Sequence, residues 1–218
     1  MRYFGLPEFL FIIRALIWTI TLTIIAFFGG GIVGAALALM RISKSKLMQH
    51  VTSAYMQVIQ GLPLLVLMFL CYYTPSLFGY QLSAITAAAI ALTINTGAFL
   101  GAIWESALRA IPRPQWESAD ALALTPLKTL RYVIAPQAVK LALPSTVGFL
   151  VQIIKQTSLA SIIGFVEITR AGQLVSNATF EPLKSFLAVA ALYFILCFPL
   201  TQISLWLEGR IERRGSRA

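Results

Sequence analysis

Charge is what this sequence has least of. Only 11% of its 218 residues are Asp, Glu, Lys or Arg, against roughly 25% in soluble domains. With a mean hydropathy of +0.81, the chain falls outside the soluble globular class and reads as an integral membrane protein. Cysteine is scarce too. Cys71 and Cys197 both sit in apolar runs, with no CxxC spacing and no clustered histidine, so neither a disulfide framework nor a metal site is expected. No GxxxxGK[ST] occurs, so the chain cannot hold ATP through a P-loop. The one histidine, His50, ends a basic turn, and no Ser/His/Asp set is apparent. No catalytic residue is nominated. A cleaved signal peptide is not expected either, because Arg14 interrupts the early apolar run and the next run is too long for an h-region.

What charge there is lies in a pattern. The formal net charge is +9, and 12 of the 17 Lys and Arg fall in segments 41–46, 105–140 and 208–218. Segments poor in basic residues alternate with them, as the positive-inside bias produces. Nucleic-acid binding is not needed to account for the charge.

A membrane-crossing helix takes about 20 apolar residues. Five stretches qualify, at about 15–40, 53–73, 82–104, 141–164 and 185–207. The expected fold is therefore all-α, a single polytopic domain over 1–218. Residues 1–14 are read as a piece lying along the interface, and 164–184 as an outer loop of balanced charge. Basic counts put the N-terminus outside and the C-terminus inside.

The organising segment is Arg113–Pro144, the longest charged stretch within the oily chain. Pro114 suits a helix's first turn, and Pro126 disfavours helix at Thr125. QWESADALAL between them favours a helix of about three turns, with acids early, where the dipole favours them. Glu117 and Asp120 share a face with Leu124 a turn further on, while Trp116, Ala119 and Ala123 form the adjacent one. Such a helix is too short and polar to span, and lies at the cytoplasmic surface.

This segment resembles the EAA loop of permease subunits from ATP-binding-cassette importers: Glu-Ala-Ala, then Gly at the seventh position and Pro at the twentieth. Here Glu117, Ser118 and Ala119 open the pattern, Ala123 takes the seventh position and Pro136 the twentieth. Ser118 replaces Ala, and Ala123 replaces Gly. The likeness extends over nearly the whole chain and is greatest to the polar-amino-acid subgroup, through GLPLL (61–65), the Asn95–Gly97 region, AIPRPQWESA, APQAVKLALP and KQTSLASIIG (155–164). It implies a type I importer fold with five spans and a coupling loop at 113–136, in the bacterial inner membrane. The partners it implies are cytoplasmic P-loop ATPase subunits, a second permease and an extracytoplasmic solute-binding protein. ATP and Mg would be bound by the ATPase, with no cofactor in this chain. Glu117, with Ser118, Ala119, Asp120, Ala123, Leu124 and Pro136, would contact that ATPase.

Polar groups at membrane depth are candidates for the substrate path: Gln57, Gln60, Asn95, Thr96, Gln152, Lys155, Gln156, Thr157 and Ser158. Gly61 and Pro63 interrupt the second span; the break is either a tolerated kink or a lining of the path. Lys155 is an ionisable group in an apolar span, with either a task or a structural role such as snorkelling. No carboxylate lies at mid-depth, and some members of the resembled family carry an acid where Gln156 stands. A neutral or acidic amino acid is therefore expected over a basic one. Two rival classes fit the sequence less well. A lipid-acting membrane enzyme would need clustered acids or histidines at the interface, and a secondary transporter or channel typically has more spans or a clear repeat.

Overall fold

In the computed structural model, which describes residues 3–215, every element among those residues is helical. The order is α1 (Leu6–Arg41), α2 (Lys46–Gly61), α3 (Leu64–Leu77), α4 (Ala84–Arg109), α5 (Arg113–Ala121), a single turn α6 (Pro126–Lys128), a π-helical segment (Thr129–Ile134), α7 (Ala135–Gln156), a 3₁₀ segment (Thr157–Ser161), α8 (Ile168–Thr179) and α9 (Pro182–Gly215). Four helical stretches are long and apolar enough to cross a membrane: Leu6–Arg41, Ala84–Arg109, Pro126–Ser161 and Pro182–Ile211. The pair α2 and α3 supplies a fifth crossing if the two count together.

At the centre is α4, packed against α1, α2, α3 and α7. Hydrocarbon offers little incentive for apolar helices to associate, so close packing of small residues must hold them together. The α1–α4 seam shows how. An added Cβ at Gly34 would stand 2.9 Å from the Gly101 nitrogen, and one at Gly97 would stand 2.7 Å from Val33 Cγ1. Gly30 and Gly34 on α1 thus interlock with Gly97 and Gly101 on α4, bringing backbone against backbone.

At the end of this seam Glu105 is buried and accepts from both Arg41 Nε (2.9 Å) and Arg109 Nε (2.8 Å). Arg109 also donates to the Arg41 carbonyl (3.0 Å), and Arg41 to that of Gln49 (3.1 Å). The ends of α1 and α4 and the start of α2 are thereby tied together. α7 and α9 run antiparallel: Ser204 Oγ donates to the Pro144 carbonyl (2.9 Å), and Val151 and Ile154 pack on Cys197. Residues 41–46, 109–140 and 208–211 consequently gather at one end of the bundle.

Four expectations need correction. Residues 6–14 are continuous with α1 rather than a separate interfacial piece; Met1 and Arg2 lie outside the described residues. The second span is not one rod over 53–73, because α2 and α3 meet at 99°. Pro63 lacks the N–H that would continue α2, and Leu62 before it takes the extended conformation that a following proline favours. The fourth stretch does not begin at 141; it is helical from Pro126. Last, 164–184 is not simply a loop. It contains α8, whose N-terminal amides at Thr169 and Arg170 are both capped by Glu167 (2.8 Å each), and whose apolar positions Ile168, Ala171 and Val175 pack on α1 and α9. The tail residues Ser216–Ala218 lie outside the described residues.

Replacing Gly34 or Gly97 by Val should cost about 1–3 kcal/mol through overpacking. Gly209→Ala, where an added Cβ meets nothing within 4 Å, should cost nothing. Thermal unfolding of the purified protein in detergent, followed by circular dichroism, checks the contrast.

Candidate functional site

The end of the bundle marked by Arg41, Glu105 and Arg109 carries α5. This helix spans nine residues, Arg113–Ala121, with Pro114 in its first turn. Ala119 is buried, and Trp116 packs into a cluster that includes Leu108, Ile111, Leu130, Val133, Ile134 and Ala138. Gln137 Nε2 donates to Gln115 Oε1 (3.3 Å), adding a polar tie between α7 and α5. The opposite face is open. Glu117, Ser118 and Asp120 are exposed, and among the described residues neither acid makes an ion pair.

The helix ends in a Schellman motif. The Ala123 amide donates to the Asp120 carbonyl (2.9 Å) and the Leu124 amide to that of Ala119 (3.1 Å). That closure places Ala123 in the left-handed region, with φ 52°. Glycine occupies this conformation without penalty, whereas a Cβ adds about 1–2 kcal/mol. Glycine at the seventh position is thus explained by backbone conformation, and Ala123 carries a strain there. Leu124 consequently lies beyond the helix and does not extend the Glu117–Asp120 face, contrary to the helical expectation.

Pro136 sits in the first turn of α7, directly after the π-helical segment. A proline here has no N–H for the helical ladder and its ring crowds the carbonyl of the preceding turn. The wider π turn accommodates both, with the Ala135 amide reaching back to the Leu130 carbonyl. α5 therefore rests on the irregular joint of the chain, with α7 continuing from that joint into the bundle.

The polar groups at depth are distributed less simply. Gln60 Nε2 donates to the Ala98 carbonyl (3.0 Å), linking the end of α2 to α4 within one turn of the buried Asn95. Asn95 Oδ1, Thr96 Oγ1 and Gln156 Oε1 are buried atoms without a hydrogen-bond partner. Gln57 is exposed and donates to Ser53 Oγ (3.4 Å), while Gly61 and Pro63 are exposed at the α2–α3 break. Gln152 and Lys155 are exposed on α7. Thr157 and Ser158 turn inward on their own helix, donating to the carbonyls of Ile154 (2.7 Å) and Lys155 (2.6 Å). Among the candidates, Gln60 is tied to α4 through the Ala98 carbonyl, and the Thr157 side chain hydrogen-bonds to Tyr193 on α9.

Two polar clusters escaped sequence reasoning. One is Glu105 with its two arginines; the signal was there, since no other acid occurs between residues 9 and 116. The other is Glu167, fully buried, which accepts from Tyr193 Oη (2.8 Å) besides capping α8. Burial pushes its carboxyl above the usual range, opposed by the backbone donors at Thr169 and Arg170 and by Tyr193.

A family model described as the inner membrane component of binding-protein-dependent transport systems matches residues 30–213. The chain belongs to this family. Among its relatives, the L-cystine transport system permease TcyB of Bacillus subtilis is 34% identical over 90% of this chain and 84% of its own length. The putative glutamine transport system permease GlnP of Rickettsia conorii is 30% identical, covering 94% of both chains. A crystal structure of an amino acid ABC transporter with histidines superposes at a TM-score of 0.84 with 34% identity, over 92% of this chain and 94% of that one. The methionine transporter MetNI, at 17% identity and TM-score 0.75, covering 94% and 99%, shows the shared fold. This amino-acid ABC transporter permease is a multi-pass inner-membrane transport component and not an enzyme. Membership implies an ATPase and further subunits as partners. The lipid-acting enzyme and secondary-transporter readings are set aside.

Relieving the strain at Ala123 should stabilise the segment. Ala123→Gly is expected to slow amide hydrogen exchange over 113–124 by about 1 kcal/mol, whereas Ala121→Gly, inside the helix, should quicken it by a similar amount.

Proposed function

We propose that this permease carries a polar amino acid, neutral or acidic, from the periplasm to the cytoplasm, driven by ATP hydrolysis in a separate subunit docked on α5. The observation that carries this reading is the seating of α5: its buried side lies on the π-helical joint, and Glu117 and Asp120 are exposed and make no ion pair among the described residues. A docked P-loop ATPase would hold ATP and Mg, and closure of two such subunits would push α5 against the joint and so move α7 and α4. Glu117, Ser118 and Asp120 would meet the ATPase, Ala119 would anchor the helix from beneath, and Ala123, Leu124 and Pro136 would shape the joint.

The orientation follows from charge. Basic residues gather at the end that bears α5, and the positive-inside bias puts that end in the cytoplasm. The N-terminus is then periplasmic and the C-terminus cytoplasmic. A solute-binding protein would deliver substrate on the outer face, and a second permease, identical or homologous, would complete the path. The candidate lining is Gln57, Gln60, Gly61, Pro63, Asn95, Gln152, Lys155, Gln156, Thr157 and Ser158. Relatives named for cystine and glutamine transport agree with a substrate of no net positive charge.

Glu117→Lys places a cation where the partner would meet an acid, and like-charge contacts at interfaces cost several kcal/mol. Co-purification of the ATPase subunit should fall by about tenfold or more, and uptake should fall with it. Transport that persists without any ATPase would exclude this reading. A panel of labelled amino acids offered to the complete complex should favour neutral or acidic ones; arginine or lysine as the best substrate would refute the charge argument.

A further inference from the structure

A groove of about 490 Å³ lies where the ends of α1 and α4 meet the π-helical segment and α7. Its floor is built from small side chains, among them Ala38, Ala138 and Ala142, and its edges from the exposed Leu39 and Val139. The polar atoms of its deep wall are satisfied within the protein, because the Trp104 indole N–H donates to Thr146 Oγ1 (3.0 Å). The interior therefore asks for hydrocarbon. From Ala135 to Thr146 the α7 wall rises about 16 Å by helix geometry, close to the ~15 Å depth of one leaflet's hydrocarbon. At the shallow end stands the one charged liner, Arg131. It is exposed, lies over the Tyr132 ring at 5.7 Å, and has no carboxylate partner among the described residues.

We propose that this groove is a phospholipid site, with one acyl chain lying along the α1–α7 cleft and an anionic headgroup held by Arg131. The guanidinium presents a planar fork of donors suited to a phosphodiester, and it sits at the mouth of a channel that otherwise offers only apolar surface. A lone exposed guanidinium with no carboxylate partner among the described residues, set at the mouth of an apolar wall, suits an amphiphile with an anionic head better than the apolar face of a helix. The position gives such a lipid leverage, since the groove's wall includes Leu130 and Arg131 of the joint on which α5 rests.

Trp104 lines the groove and reports on its contents. The full-length chain, with Trp18, Trp116 and Trp206 changed to Phe, is reconstituted into vesicles containing brominated phosphatidylglycerol or brominated phosphatidylcholine at equal mole fraction. Trp104 fluorescence should be quenched at about fivefold lower mole fraction by the anionic lipid. Arg131→Gln should bring the two lipids to the same level while leaving quenching by phosphatidylcholine in place. Ala138→Leu, which narrows the floor, should weaken quenching by both. Equal quenching by the two lipids in the parent protein would overturn the proposal, as would a preference that survives Arg131→Gln. Absence of quenching by either lipid, showing the groove covered by a second copy or another protein, would overturn it as well.

Discussion

Everything in this molecule depends on how closely α1 can approach α4. Two pairs of glycines let the backbones touch along the seam, and any side chain at Gly30, Gly34 or Gly97 would meet occupied space. In a membrane this contact cannot be replaced by a general apolar attraction, because lipid tails satisfy apolar surface equally well. The shared axis then sets the positions of α2, α3 and α7, which pack on α4, and of α8 and α9, which close over α1. The Glu105 cluster fixes the same seam at its polar end. A carboxylate held by two arginines and buried between helix ends resists sliding of one helix along the other, since parting them would strand a buried charge.

From that fixed end the chain leaves as α5 and returns through a segment of irregular helix. Regular helix on both sides of the joint is stiff, whereas the π turn at 129–134 and the left-handed residue at 123 are the points where backbone geometry departs from the norm. Both departures follow α5 in the chain, between it and α7. A helix bound by one apolar face to such a joint can shift as a body while its outward acids stay in place for a partner. The strain at Ala123 is consistent with this arrangement: the Schellman closure is retained even with the wrong residue for it, because two hydrogen bonds and the packing of Ala119 and Trp116 over-determine the turn.

Much of this could be read from residues alone, and the reasons for the failures are physical. Long charge-free runs revealed the membrane class and pointed to four of the long crossings, because hydropathy acts residue by residue. The outward placement of Glu117 and Asp120 was legible from their three-residue spacing. Pro63 announced an interruption, but a proline specifies only that hydrogen bonds are lost, and the 99° turn between α2 and α3 is decided by what α3 packs against. Gly97 and Gly101 acquire meaning only opposite Gly30 and Gly34, a pairing that one-dimensional reading cannot supply. α8 was hidden by its polar content, although Ile168, Ala171, Gly172 and Val175 follow the i, i+3, i+4, i+7 rule and would have disclosed it.

The neutrality of the polar groups at depth bears on what the transporter could carry. Asn95, Thr96 and Gln156 offer dipoles rather than charges, and Gln60 spends its amide on the Ala98 carbonyl. Such groups can pair with the amino and carboxylate ends that amino acids have in common. They cannot offset a net positive side chain, which would need a carboxylate within a few ångströms in so poor a dielectric. Of the buried acids, Glu8 caps the start of α1 by accepting from the Gly5 amide, and the other two, Glu105 and Glu167, are already engaged, the first by two arginines and the second by the α8 amides and Tyr193. Recruiting either would break the tie that holds a helix end in place. In the proposed reading, selection against basic substrates is thus a consequence of structural carboxylates being committed elsewhere, and a permease for cations built on this bundle would require a new acid on α4 or α7.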